Sequence, residues 1–383
     1  MWIIFISCNT SKITDSYEGF DSEQQDTTGT DILRPTSLNV QYIDTTRYPK
    51  AVCNDGSPPV YYIRPGIDEG INKWVIWFEG GGVCESQASC FSRWQQEKEQ
   101  MSTCLGADCS QYKALEEMIP NGILSDDPEK NPELSSWNHV LFHYCSSDSW
   151  MGNRTDSISS GDITLWFRGH FIAEAMFSSL LSPTDKIGYY SLSDAEDIIL
   201  AGSASGAIGV RAHLDLFSER IPTAKLVGLS DAGMVPVLLD EGMAFEQAIL
   251  QQTQQLWNSF VDQSCLANHP QETHYCQQGA FLLAEQEITT PLFFHQDQAD
   301  PQGYDLHKRA VGRELSEGEA ERIHEGIRGI FQQNNALGYI PREGNSGILI
   351  QEEFNSMVAF PEGSLSSVFR YWYQEEDIVL ITP

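Results

Sequence analysis

Basic residues are few in this 383-residue chain, where 23 Lys and Arg stand against 54 Asp and Glu for a formal net charge of −31. Such a surface repels polyanions over long range, which argues against nucleic acid as a partner and against charge-driven adsorption to an anionic membrane. Long apolar runs are missing too: no stretch of about 18 apolar residues could span a bilayer. No C-x-x-C pair and no His/Cys cluster at zinc spacing occurs, so a metal site is not expected. No internal repeat and no Pro/Gly/Ser-rich linker divides the chain beyond its first residues. Histidine runs out early, with none after His324.

Cysteine, by contrast, is plentiful. Nine cysteines fall at 8, 53, 84, 90, 104, 109, 145, 265 and 276, which points to an oxidising compartment. Close spacing suggests the disulfides Cys84–Cys90, Cys104–Cys109 and Cys265–Cys276, leaving Cys53 with Cys145 once Cys8 is set aside. Cys8 ends "MWIIFISC", an apolar opening with no basic n-region and too little length for a complete signal peptide. Ile6-Ser7-Cys8 resembles a bacterial lipobox, which would make Cys8 a lipidation site and the only route to a membrane; a truncated ordinary signal peptide is the alternative. Residues 9–31 are polar and acidic, as a tether would be. The expected organisation is therefore a disordered signal remnant and tether over 1–35 and one domain over 36–383, in an exported protein that is either secreted or a lipoprotein at the cell envelope.

The domain's pattern is α/β. Short continuous apolar runs at 73–78, 139–144, 197–202, 225–230 and 291–296 read as strands buried on both faces. Amphipathic stretches lie between them: Leu165, Ile172, Met176 and Leu180 share one helical face, and 242–262 and 314–335 also read as helices. This alternation predicts a mainly parallel sheet with helices on both faces. Sites in such sheets gather at the carboxyl ends of strands, where Gly80–Gly82, Cys145–Asp148, Gly202–Gly206 and Asp300 all fall.

Two of these strand ends suit acyl transfer. "FEGGGVC" (78–84) offers consecutive glycines whose backbone N–H groups an acyl oxygen could approach, as in an HGGG-type oxyanion loop with Glu79 in place of the histidine. "DIILAGSASGAIGV" (197–210) reads as a strand bending sharply into a helix, the setting of a nucleophile elbow. Gly202 and Gly206 have the Gly-x-Ser-x-Gly spacing, yet the apex is Ala204. Ser203 and Ser205 stand on either side as alternative nucleophiles, or as an ordinary strand-end hydroxyl and a helix-start residue. Trp74, Trp77 and Phe78 are expected in the core, while Trp150 could line a pocket.

"VCNDGSPPVYYI" (52–63), "WVIWFEGGGVC" (74–84), "NGILSDDPEKNPELSSWNHVLFHYCSSDSW" (121–150), "LAGSASGAIGV" (200–210), "GLSDAG" (228–233) and "GSLSSVFRYWY" (363–373) together resemble the pectin acetylesterase and Notum family of carboxylesterases. The resemblance implies an exported, disulfide-bonded, α/β-hydrolase-like serine esterase that uses no cofactor. It also supports pairing Cys53 with Cys145, and it implies an acylated glycan or an acylated protein as ligand. Carried over by position, it puts the nucleophile at Ala204, oxyanion donors at Gly81, Gly82 and Ser205, and the acid at Asp300. The family's histidine, in a loop of the form P-x-C-x-x-H, falls at Ser346 or Gly347, and the loop cysteine at Glu343. Two of three triad positions are thus substituted, which implies a catalytically degenerate homologue serving as an exported binding or structural module. His307 and His324 are the only downstream substitutes for the base. The alternative is an active carboxylic-ester hydrolase using Ser203 or Ser205.

Overall fold

A computed structural model describes residues 35–182, 190–234, 236–334, 336–345, 347–351, 358–359, 363–364 and 373. The tether, Cys8 and Ser346 lie outside the described residues. The compact unit Pro35–Pro383 contains the sheet. Its nine strands are β1 (Leu38–Tyr42), β2 (Val60–Arg64), β3 (Lys73–Phe78), β4 (Glu117–Met118), β5 (Asn138–Phe142), β6 (Asp197–Ser203), β7 (Lys225–Asp231), β8 (Leu292–His295) and β9 (Gly338–Tyr339). They lie side by side in the order β9-β8-β7-β6-β3-β5-β2-β1-β4. The pairs from β9 to β5 are parallel, and β2, β1 and β4 continue the sheet as an antiparallel edge.

The five apolar runs all became parallel strands, with ends displaced by at most two residues. Their hydrophobicity is continuous because both faces are covered. Trp74, Ile76 and Phe78 face Ile172, Met176, Phe177, Val210, Leu214 and Phe217. Val75, Trp77, Ile199, Ala201, Val227 and Leu229 face Ile123, Leu124, Trp137, Ile348 and Leu349.

The α-helices are α1 (Gln87–Glu97), α2 (Gly169–Leu181), α3 (Ser205–Arg220), α4 (Met243–Trp257), α5 (Gln263–Asn268), α6 (Gly279–Ala284), α7 (Pro301–Val311) and α8 (Glu317–Gln333). Leu165 is not on the helix expected for it; it ends the short strand Ile163–Leu165, because α2 starts only at Gly169. The helix read over 242–262 stops at Trp257, where Asn258 turns left-handed at φ 50. That read over 314–335 starts later, at a capping box in which Ser316 and Glu319 satisfy each other's backbone N–H groups.

Four disulfides join Cys53–Cys145, Cys84–Cys90, Cys104–Cys109 and Cys265–Cys276. The first spans a sequence separation of 92, enough to constrain the unfolded chain by about 4–5 kcal/mol. Among the described residues no helix is long and apolar enough to cross a membrane.

Strand order positions the site. The chain leaves β3 to form β5 on one side, then returns to form β6 on the other. The loops after β3 and β6 therefore come together at that reversal of strand order, where sheets of this kind place their sites.

Candidate active site

The turn from β6 into α3 is a complete elbow without its hydroxyl. Ala204 sits at φ 51, ψ −116, a conformation that costs a residue with a Cβ on the order of 1–3 kcal/mol. The flanking glycines make the turn sterically possible. A Cβ on Gly206 would stand 2.0 Å from the Phe78 carbonyl oxygen, and one on Gly202 2.6 Å from the Gly206 carbonyl carbon. Helix α3 therefore starts hard against the end of β3, with Ser205 in its first turn. The Ser205 hydroxyl donates to the Gly81 carbonyl at 2.6 Å, tying the elbow to the glycine loop.

That loop is anchored at both ends. The Glu79 carboxylate accepts from the Tyr144 N–H at 2.9 Å and contacts His143 Nδ1 at 2.7 Å. Burial opposes charge on His143, but the charge and hydrogen bond of Glu79 outweigh it and raise the imidazole's pKa. Glu79 thus works as a bracket between strand ends. The Tyr144 ring lies so close to Gly81 that a Cβ there would be 2.6 Å from it. Gly82 is backed by Arg93, which donates to Ser147 Oγ at 3.2 Å and pairs with Glu97.

Behind the elbow lies a polar row that motif reading missed. Strand register aligns Ser203 with Asp231, Asp231 with His295 and His295 with Tyr339. The Ser203 hydroxyl donates to Asp231 Oδ2, which also accepts the Leu349 N–H at 3.0 Å. Asp231 Oδ1 lies 2.6 Å from His295 Nδ1. Asp231 and His295 are buried, and His295 Nε2 meets no hydrogen-bond partner among the described residues. The only sequence signal was a polar residue closing each of two adjacent apolar runs.

The expected acid caps a helix, and the two candidate bases are hydrogen-bonded to groups other than the elbow serines. Asp300 is the N-cap of α7, with Pro301 at the first helical position; Oδ1 accepts the Gln302 N–H at 2.9 Å and Oδ2 accepts from Gln296 Nε2 at 3.3 Å. His307 is buried with both ring nitrogens occupied, Nε2 accepting the Leu238 N–H at 3.0 Å and Nδ1 lying 2.7 Å from the Gly303 carbonyl. Burial lowers its pKa. His324 meets the Tyr304 hydroxyl through Nε2.

The loop expected to hold the histidine is pinned at several points. Asp297 Oδ2 accepts the Glu343 and Asn345 N–H groups, both at 3.0 Å, and Gln298 Nε2 donates to the Ile340 carbonyl at 2.8 Å. Gly347, at φ 69, covers Ser203: a Cβ on it would be 3.1 Å from the Ser203 Cβ.

Beside the elbow opens a cavity of about 240 Å³ whose lining includes Ala204, Ser205 and Gly233. Val83, Met151, Ile208, Leu250, Trp257 and Leu306 supply apolar wall. Trp150 does not line it; the side chain is buried, meets Phe78 edge to face and donates to the Glu79 carbonyl. Among the described residues no group of three His, Cys, Asp or Glu could hold a metal.

Asp148, which precedes the cavity-lining Ser149, accepts from the Ser146 hydroxyl at 2.6 Å and from the first N–H of α2 at 2.9 Å. Burial, opposed by those bonds, pushes its pKa up to about 7. An unfolded aspartate titrates near ~3.9, so between about pH 4 and 7 the folded state holds a proton that the unfolded state has lost, and stability falls as pH rises. Denaturant unfolding across that window should show a decline of a few kcal/mol, flattened in Asp148→Asn; parallel profiles for the two proteins would count against it.

Residues 33–310 match the family model described as pectinacetylesterase, a span that includes the glycine loop, elbow and Asp300 but ends before the 339–350 loop. The palmitoleoyl-protein carboxylesterase NOTUM of Drosophila melanogaster is 30% identical over 338 residues, covering 84% of this chain and 46% of that one. Pectin acetylesterase 4 of Arabidopsis thaliana is 30% identical over 63% of this chain and 55% of its own length. The chain thus spans about half the length of these relatives. A solved structure of the Drosophila Wnt deacylase Notum superposes with a TM-score of 0.75 at 26% identity, covering 90% of this chain and 96% of that one.

Proposed function

Because this chain belongs to the pectinacetylesterase family, we propose that it is an exported carboxylesterase homologue that has lost catalysis and keeps its pocket as a binding module. The observation behind this reading is the elbow apex, where Ala204 holds the strained geometry of a nucleophile without an oxygen. Acyl transfer needs a hydroxyl and a base that removes its proton. The Ser203 hydroxyl donates its hydrogen bond to a carboxylate and lies under Gly347 rather than on the cavity wall. Ser205 faces the cavity but donates to a carbonyl. Among the described residues no imidazole is hydrogen-bonded to either serine.

Ser203, Asp231 and His295 include the three residue types of a triad in an unproductive order. The carboxylate stands between hydroxyl and imidazole, so the histidine cannot take the serine's proton directly. Active hydrolysis through Ser203 or Ser205 therefore has less support than binding. The relatives named above suggest an acyl group carried on a glycan or on a protein as the ligand, and the lipobox-like Cys8 would supply a membrane anchor.

Hydrolysis of short- and long-chain acyl esters tests the reading. The chain should give no more than the roughly thousand- to ten-thousand-fold over water that oxyanion donors and binding alone provide. Ser203→Ala and Ser205→Ala should leave that level unchanged. Turnover of ordinary esterase size, abolished by either substitution, would overturn it.

A further inference from the structure

We infer that the Cys104–Cys109 disulfide is a strained, redox-labile bond that an external dithiol opens while the rest of the domain stays folded.

Burial sets this disulfide apart from the other three. Cys53, Cys145, Cys84, Cys90, Cys265 and Cys276 are all buried, whereas Cys104 and Cys109 are only half-buried, next to the exposed residues Gly106, Ala107, Asp108 and Ser110. Ring size is not the cause, since Cys84–Cys90 has a sequence separation of 6 against 5 for Cys104–Cys109. Cys84 and Cys90 lie in an apolar cluster with Phe167, Leu256 and Trp257. Exchange begins with a thiolate reaching a sulfur, so access separates two rings of similar size.

The short loop also holds an unfavourable backbone. Gly106, Asp108 and Cys109 take positive φ, at 82, 52 and 59. Glycine does so freely, but a residue with a Cβ is disfavoured there, and here two stand in succession. Ring closure holds them, together with turn bonds from the Cys109 N–H to the Gly106 carbonyl at 3.3 Å and from the Ser110 N–H to the Ala107 carbonyl at 3.2 Å. Breaking the S–S bond releases that strain, which makes the disulfide easier to reduce.

The opening stays local. Cys104–Leu105 pairs with Tyr112–Lys113 as a small hairpin, and the buried residues just before it tie it to the 55–58 turn. Ser102 Oγ donates to Asp55 Oδ2 at 2.6 Å, the Thr103 N–H donates to Ser57 Oγ at 3.1 Å, and Thr103 Oγ1 donates to the Pro58 carbonyl at 2.7 Å. None of these bonds involves a sulfur.

In the reaction, one thiolate of the dithiol attacks a sulfur of the pair, so the S–S bond breaks, a mixed disulfide forms and the displaced cysteine thiolate takes up a proton. The second thiol of the reagent, as its thiolate, then displaces the other cysteine and leaves as a cyclic disulfide. The protein gains two electrons and two protons, and the dithiol loses them.

Differential alkylation of the full chain tests this. With Cys8 blocked by N-ethylmaleimide, the protein is equilibrated in dithiothreitol buffers of set reduced-to-oxidised ratio, and new thiols are trapped with iodoacetamide and located by peptide mass spectrometry. Cys104 and Cys109 should be half reduced at a ratio at least about ten-fold lower than any other pair, a gap of about 30 mV, with the near-UV circular dichroism unchanged. Asp108→Gly, which relieves one strained position, should lower the ratio of reduced to closed protein by about three-fold. Asp108→Asn removes the charge but keeps a Cβ, and should leave that ratio nearly unchanged. Cys104→Ser/Cys109→Ser should fold and yield no alkylated pair in this range. Earlier reduction of another pair, joint reduction of all four with loss of the near-UV signal, or the same ratio in Asp108→Gly as in Asp108→Asn would each overturn the inference.

Discussion

Turnover of a short acyl ester by Ala204→Ser/Ser346→His should exceed that of the unaltered chain by at least about a thousand-fold, whereas Ala204→Ser alone should gain almost nothing. Loss of either serine or histidine in a triad costs on the order of a million-fold in kcat, and the two losses overlap rather than add. One repair therefore leaves the other defect in full control. The rest of the site favours rescue. Ala204 already adopts the strained backbone that a nucleophile needs, so serine adds an oxygen without a new conformational cost. Asp300 is held by Gln302 and Gln296. The residues flanking position 346 are placed by Asp297 at Asn345 and by the contact of Gly347 with Ser203. Steady-state kinetics on the two variants provides the check. Full activity in the single variant would mean that a base already serves the elbow.

Asp231→Ala should be among the most damaging single substitutions in the fold, at about 3–5 kcal/mol. This carboxylate, wholly buried, is the acceptor for the Ser203 hydroxyl and the Leu349 N–H and the partner of His295. Alanine would leave the buried His295 Nδ1 and Leu349 N–H and the half-buried Ser203 hydroxyl facing a cavity, and each unsatisfied buried group carries a penalty of about 1–3 kcal/mol. Ser203→Ala removes only one donor and should cost about 1 kcal/mol. The denaturant midpoint at unchanged slope measures both. A loss near 1 kcal/mol for Asp231→Ala would mean that water or rearrangement replaces the carboxylate. The same hub joins the elbow, β8 and the 347–349 loop, so the variant should also loosen the cover over Ser203.

Much of the frame was legible because its causes are local. Lys73–Phe78 reads as a doubly buried strand from six residues alone, and the structure gives those bounds. The elbow was legible for the same reason: a strand-to-helix turn against a neighbouring strand excludes any Cβ at Gly202 and Gly206, whatever the rest of the chain does. Short loops favour the cysteine pairs 84–90, 104–109 and 265–276. Leu165 was misplaced because its spacing fits a helical face, while α2 begins only at Gly169. Trp150, which sequence position allowed in a pocket, is enclosed by Phe78, Phe142 and Tyr144.

The amino-acid sequence by itself determined the parallel strands, the sharp turn after β6 and the absence of an apex hydroxyl, since each depends on residue type within a short window. Tertiary structure alone decided what the remaining polar groups do. Ser203, Asp231 and His295 are far apart in sequence, and only the register of three adjacent strands makes them one hydrogen-bonded row. Whether Ser203 meets a base or a carboxylate, and whether it faces the cavity or Gly347, depends on the pairing of distant segments, and local periodicity holds no record of that pairing.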